Sequence, residues 1–198
     1  MSSHFFAYIS RMRYIDRWGL MRNSFRENIQ EHSHMVAVLA HALAVIGREK
    51  FGSSVDPGEA AVAGLYHDAS EILTGDLPTP VKYDNPAIRD AYKTVERVAA
   101  DKLLTMLPDE LAPSFAPYVR EELESELLKV VKAADKLSAY IKCVEEVKAG
   151  NSEFRQAADQ TKAALEEMDL PALKYFMAEF LPGFALTLDE LGREADSE

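Results

Sequence analysis

The sequence predicts an all-α protein. Across its 198 residues, no segment alternates apolar and polar side chains over the length of a strand. Apolar residues recur instead at three- and four-residue spacing, and glycine and proline are scarce inside those stretches. At 47% hydrophobic content the chain can bury one substantial core. A single helical domain over residues 1–192 is expected, with 193–198 as a frayed tail.

Helices are expected over residues 3–16, 29–48, 58–73, 86–107, 120–149, 152–168 and 171–180. Asn28 followed by Glu31 has the form of a capping box, in which each residue satisfies an amide that the helix start leaves free. Asp56-Pro57 opens the third helix, with proline in the first turn, where its missing N–H costs nothing. Gly150-Asn151 closes the fifth. The run Thr74-Gly75-Asp76-Leu77-Pro78-Thr79-Pro80 is expected to be non-helical because two prolines fall close together. The apolar residues Tyr175, Phe176, Phe180, Phe184 and Leu188 suit either the core or a subunit contact.

Composition excludes several functions. The net charge of −11 argues against a polyanionic partner such as duplex DNA. Residues 1–26 depart from that balance, with Arg11, Arg13, Arg17, Arg22 and Arg26 against Asp16. A small phosphate-bearing ligand could be met there, although a solvated arginine-rich face is the plainer explanation. No apolar run approaches membrane-spanning length, and the N-terminus lacks the form of a secretory signal. The one cysteine, Cys143, falls on a helical pattern and reads as a buried thiol, which suits the cytoplasm.

Helical geometry sorts the five histidines. At about 100° per residue, His32 falls within the apolar stripe of Val36, Leu39 and Leu43, whereas His34 and His41 face solvent, as does His4. An inward histidine is either a hydrogen-bonded core residue or a ligand. His67 and Glu71 share a helix face, with Asp68 close by. Such a group can be a surface ion cluster, but a divalent cation would also bring imidazole nitrogen and carboxylate oxygen together. Asp135 flanks the stripe of Val131, Ala134, Leu137, Ser138 and Ile141. There it can pair with Lys132 or reach a metal held between helices.

The order His32, His67-Asp68, Asp135 resembles the HD superfamily of metal-dependent phosphohydrolases. Arg17-Trp18, Met21-Arg22-Asn23, Glu31-His32-Ser33, His67-Asp68-Ala69-Ser70-Glu71, Thr74 to Tyr83 and Lys132-Ala133-Ala134-Asp135 make the chain similar to the bacterial HD-domain 5′-deoxynucleotidases (YfbR type). The likeness runs from His4 to the Phe184 region, and the Thr74–Pro80 run is its most specific piece. It implies an HD-domain helical bundle with the metal site between helices, acting on deoxyribonucleoside 5′-monophosphates and against ribonucleotides, as a homodimer. By position it implies His32, His67, Asp68 and Asp135 as metal ligands and Glu71 as catalytic acid, with Arg17 assisting. Arg17, Trp18, His32, Asp68, Asp76, Leu77, Pro78 and Thr79 are the implied substrate contacts. The resemblance favours Co2+ or Mn2+, and mixed nitrogen and oxygen donors also admit Fe2+, Zn2+ or Cu2+.

These residues suit phosphate ester hydrolysis, a very slow reaction that needs charge stabilisation and positioning. Arg17 offers a planar donor fork to phosphate, and Trp18 could wall off C2′. Asp76 can accept from a sugar hydroxyl, or simply be a turn aspartate. Two rivals remain. One is a triphosphohydrolase or cyclic-nucleotide phosphodiesterase, which would want more basic residues than the N-terminal arginines supply. The other is a metal-stapled nucleotide sensor without turnover, which would have no need of Glu71.

Overall fold

The structure is a computed structural model that describes residues 3–82 and 85–194. Among the described residues there is no strand, and the elements are helices, turns and one isolated bridge. The all-α expectation holds. The helix boundaries differ in ways that matter for the site.

Helix α1 (Phe5–Ile9) winds directly into a 3-10 turn over Ser10–Tyr14, in place of the one helix expected over 3–16. The tighter winding turns Met12 inward while Arg11, Arg13 and Tyr14 stay in water. Residues 15–28 then form a loop closed at its mouth. The Ile29 amide donates to the Ile15 carbonyl at 2.9 Å, and the Arg17 amide donates to the Glu27 carbonyl at 2.9 Å. Helix α2 (Ile29–Phe51) starts with the expected capping box. Asn28 accepts from the Gln30 and Glu31 amides, and Glu31 accepts from the Asn28 amide, an arrangement worth about 1 kcal/mol.

Helix α3 (Pro57–Tyr66) ends at Tyr66 rather than continuing to 73. His67–Ser70 form a turn, and the single-turn α4 (Glu71–Thr74) follows. The cause is local. The Gly64 carbonyl, which a continuing helix would give to the Asp68 amide, is taken by His67 Nδ1 at 2.8 Å, so a side chain competes with the helical ladder. Gly75, with φ of 75°, ends α4. The short α5 (Thr79–Lys82) corrects a second expectation, because Pro80 lies inside a helical turn instead of the non-helical run. It sits in the first turn, where its amide is not needed.

Helix α6 (Pro86–Leu104) is capped by Asn85, whose side chain accepts from the Ile88 amide. Helix α7 (Ala112–Val119) falls where no helix was expected, with Pro113 in its first turn and Pro117 inside it. Helix α8 (Ser125–Lys148) begins five residues later than expected, after Glu121 at φ 56° and a Glu124 cap. A 3-10 turn over Ser152–Phe154 leads into α9 (Arg155–Glu166), followed by α10 (Pro171–Glu179). A further 3-10 turn over Leu181–Ala185 precedes α11 (Leu188–Glu194). Helix therefore enters the stretch expected to fray, while 195–198 lie outside the described residues.

The core gathers α2, α3, α8 and α10 around Val36, Leu43, Ala63, Val131, Leu137 and Leu173. A smaller cluster joins α1, α6 and α7 through Phe5, Leu103 and Val119. Phe176 is buried and Tyr175 and Phe184 pack against the core, whereas Phe180 and Leu188 are exposed. Gly64 lets α3 approach α2 closely. A Cβ there would lie 2.7 Å from Ala37 Cα and 2.8 Å from its nitrogen, contacts that backbone cannot yield to. Cys143 is fully buried, and burial pushes its thiol up to about 12. No described helix is long and apolar enough to cross a membrane.

Candidate metal centre and active site

Three elements bring the ligand candidates to one point: the first turn of α2 (His32), the turn after α3 (His67 and Asp68) and the middle of α8 (Asp135). His32, His67 and Asp135 each place a donor atom within 4.8 Å of the others. His32 Nε2 lies 3.1 Å from Asp135 Oδ1 and 3.7 Å from Asp68 Oδ2. His67 Nε2 lies 3.1 Å from Asp68 Oδ2 and 4.0 Å from Asp135 Oδ1. Both imidazoles are buried, with side chains at 0% and 2% exposure. His34, His41 and His4 are exposed, as expected. Lys132 is held by Glu121 at 2.6 Å, while Asp135 faces the histidines.

The hydrogen bonds behind each ring orient it. Gly64's carbonyl can only accept, so His67 Nδ1 carries a proton, and Nε2 is the nitrogen left to face the carboxylates and a cation. Despite its closeness to Asp68, His67 Nε2 has no hydrogen-bond partner. His32 Nδ1 lies 3.0 Å from Ser138 Oγ, one turn along α8 from Asp135. Two imidazole nitrogens and the Asp135 carboxylate converging, with one nitrogen orphaned, fit a divalent cation, and Asp68 lies beside them against His67 and Arg17.

Electrostatics agree with a centre built for positive charge. Burial would raise Asp68 and Asp135, but His67 beside the first and His32 beside the second hold both carboxyls well below the usual range. Burial and the Arg17 charge lower His32, against the pull of Asp135. Burial also opposes a charged His67, yet Asp68 and Asp135 outweigh it and raise that ring. Glu71 behaves in the opposite way to the ligand carboxylates. Burial, then the charges of Asp68 and Asp76, push it up to about 9. It is 5% exposed, and its Oε2 has no hydrogen-bond partner.

The 15–28 loop adds a second group. Arg17 Nη1 reaches Asp68 Oδ2 at 3.4 Å and Arg17 Nε donates to Glu27 Oε2 at 3.1 Å. The same oxygen accepts from Trp18 Nε1 at 3.0 Å. The indole packs on Phe154 with ring centroids 5.3 Å apart. Trp18 has φ of 60°, a left-handed backbone that costs a bulky residue about 1–2 kcal/mol. Asp76 joins this group through a backbone hydrogen bond from Trp18, and burial raises its carboxyl against the opposing Arg17 charge. Leu77 and Pro78 are half-buried beside it in sequence. Thr79 opens α5, and its side chain lies outside the described residues.

Sequence reasoning missed three residues here. Ser138 was legible only as part of an apolar stripe, although its place three residues after Asp135 is a signal that both face one site. Gly64 and Glu27 gave no local signal. A fourth correction concerns charge. A cavity of about 750 Å3 opens from His67, Asp68 and Asp135 and is lined by Lys82, Arg89, Lys93, Arg97, Arg120 and Lys132. The N-terminal arginines are therefore not the only basic groups near the centre. Arg89, Lys93 and Arg97 recur every four residues along α6 and so share a face. Among the N-terminal arginines, Arg22 pairs with Glu153 and Arg26 with Asp16 in exposed positions.

Comparison with known proteins follows the same line. The family described as 5′-deoxynucleotidase YfbR-like matches residues 4–184. A 5′-deoxynucleotidase of Citrobacter koseri is 51% identical over 194 residues, covering 98% of each chain. Among solved structures, an HD-domain phosphohydrolase from Listeria innocua superposes with a TM-score of 0.80 at 23% identity, covering 91% of this chain and 88% of that one. The cyanophage S-2L HD phosphohydrolase DatZ, bound to dA and one catalytic Zn2+ ion, gives 0.62 at 21% identity over 91% and 96%. At those identities the two structures speak for the fold. The near full-length identity and the family match carry the assignment: this chain belongs to the YfbR-like 5′-deoxynucleotidase family.

Proposed function

We propose that the chain, working as one domain over residues 1–192, is a metal-dependent 5′-deoxynucleotidase. It converts deoxyribonucleoside 5′-monophosphates to deoxynucleoside and phosphate and selects against ribonucleotides. The observation that carries this reading is the full-length likeness to 5′-deoxynucleotidases together with the buried His32, His67 and Asp135 cluster, and two oppositely tuned carboxyl types beside it agree. Asp68 and Asp135 are held ionised beside His32 and His67, and a buried Glu71 keeps its proton.

His32, His67, Asp68 and Asp135 would hold the ion, with Co2+ or Mn2+ favoured by the resemblance and Fe2+, Zn2+ or Cu2+ also matching the donors. When bound, it supplies Lewis-acid polarisation of the phosphoryl group and an acidified water. The chain does the rest. Arg17 offers its guanidinium to the phosphate as charge moves toward the leaving oxygen. Water forms the new P–O bond as the P–O5′ bond breaks. Glu71 gives its proton to O5′, and its carboxylate then regains one from the water. Trp18 stands beside C2′, where a hydroxyl would clash, and Asp76 accepts from the 3′-hydroxyl region. Leu77, Pro78 and Thr79 line the nucleoside.

The single buried thiol suits a cytoplasmic enzyme. It pairs as a homodimer, for which exposed Phe6, Val62 and Leu65 leave apolar surface. The basic lining of the cavity favours a second reading, a substrate carrying more than one phosphate. Phosphate release from mono-, di-, tri- and cyclic nucleotides with several metals tests both. Preference for deoxynucleoside monophosphates supports the proposal, and faster turnover of di- or triphosphates overturns it.

A further inference from the structure

Glu27 lies outside the ligand set and outside the segments assigned to substrate, yet its carboxylate is where Arg17 and Trp18 meet. One oxygen, Oε2, accepts from both the Arg17 Nε and the Trp18 Nε1. The Glu27 carbonyl also takes the Arg17 amide. The guanidinium and the indole are thereby fixed to each other and to the loop mouth. The side chains of Glu27 and Arg17 are each 13% exposed, so water competes weakly for these bonds.

Neither partner is placed by local preference. Trp18 occupies a left-handed backbone conformation and owes its ring position to Phe154 on one side and Glu27 at its N–H. Arg17 spans from Glu27 to Asp68, so Glu27 also sets where the fork meets the metal centre. We propose that Glu27 is a positioning residue that sets sugar selectivity. It fixes the distance between the phosphate-binding guanidinium and the indole, so that a substrate seated on Arg17 presents C2′ to a wall that cannot retreat. The inference rests on the roles given to Arg17 and Trp18 above.

Trp18 is the only tryptophan, so its fluorescence reads the indole without turnover. The full chain with its metal is compared with Glu27→Gln and Glu27→Ala. In the alanine variant, the emission maximum should shift and acrylamide quenching should rise, with metal content unchanged. The deoxy-to-ribo ratio of kcat/KM for a matched pair should narrow by about tenfold. The glutamine variant keeps an acceptor for the indole and loses the charge facing Arg17. It should retain most of the ratio and show a higher KM for both sugars. In a Trp18→Ala background, removing Glu27 should narrow the ratio no further, because coupled residues are not additive.

Unchanged emission and an unchanged ratio in Glu27→Ala would overturn the inference. So would equal narrowing with and without Trp18. Should the alanine variant fail to fold, the glutamine variant decides, and an unmoved KM for both sugars counts against the role. If the unmodified protein shows no deoxy preference, the assignment of Trp18 is what fails. Fluorescence then still tells whether Glu27 holds the indole.

Discussion

His67 Nδ1 lies 2.8 Å from the carbonyl oxygen of Gly64, and that contact ends α3, sets the ring's tautomer and points Nε2 at Asp68 and Asp135. The same glycine is where α3 touches the backbone of α2. Ligand orientation and helix packing therefore depend on one residue.

Gly64→Ala should accordingly damage both. A Cβ forced against Ala37 backbone should destabilise the fold by about 1–3 kcal/mol, read as a lower urea midpoint. Because the displaced carbonyl carries His67 with it, metal affinity should fall as well. A stable variant with full metal affinity would contradict the coupling.

Glu71→Gln separates proton transfer from binding. The variant should keep metal and nucleotide while kcat drops by a factor of about 100 or more. Its stability should also change. With the folded carboxyl near 9 and the usual value at 4.5, the folded protein retains a proton that the unfolded chain has lost across that window. Stability of the metal-free protein therefore falls as pH rises through it. Glutamine removes this dependence, so at pH 8 the variant should gain on the parent by several kcal/mol, on the order of 5 at about 1.4 kcal/mol per pH unit, with the gap closing near pH 4.5. Parallel pH–stability curves would contradict the assignment.

Away from the catalytic groups, Lys142 and Glu146 form a buried pair 2.5 Å apart, with side chains at 2% and 0% exposure. Glu146 also accepts from the Ser24 and Phe25 amides and from Asn151, and Lys142 donates to the Phe25 carbonyl. The pair ties the Trp18 loop to α8. Replacing Glu146 with Ala strands the lysine and should cost about 3–5 kcal/mol. Burial raises the Glu146 carboxyl, but Lys142, Asn151 and Ser24 together hold it down to about 2. Its contribution is therefore full above about pH 4.5 and fades as pH falls toward 2. Chemical denaturation at pH 7 and pH 3 measures both effects.

Trp18→Ala should raise activity on ribonucleotides relative to deoxyribonucleotides. A wall that rejects a hydroxyl is worth on the order of a hundredfold. The readout is the ratio of kcat/KM for a matched pair, since loss of the indole also loosens Arg17 and slows both. An unchanged ratio would reduce Trp18 to packing against Phe154.

What the sequence made legible was whatever depends on near neighbours. The Asn28–Glu31 cap, the proline start of α3 and the inward side of His32 follow from spacing along one helix. The break after Tyr66 was hidden because it needs a side chain to outcompete a helical amide for Gly64's carbonyl. Helix α7 carries two prolines, of which Pro113 sits in the tolerated first turn and Pro117 lies inside the helix, so no local rule announces it. Glu27 and the basic face of α6 matter through loop closure and through contact with a cavity, and no local pattern reports either. Asp135 was half legible: its position flanking the stripe of α8 was visible, but not that Glu121 would take Lys132.

The most direct test of the central claim is metal content measured alongside phosphate release, in the parent and in Asp68→Ala. The parent should hold one divalent ion per chain, lose release from a deoxynucleoside 5′-monophosphate on chelation and regain it when metal returns. Asp68→Ala should bind metal poorly and stay inactive at metal concentrations that restore the parent. Undiminished phosphate release from thoroughly stripped parent protein, or full activity in the variant without metal, would contradict the account.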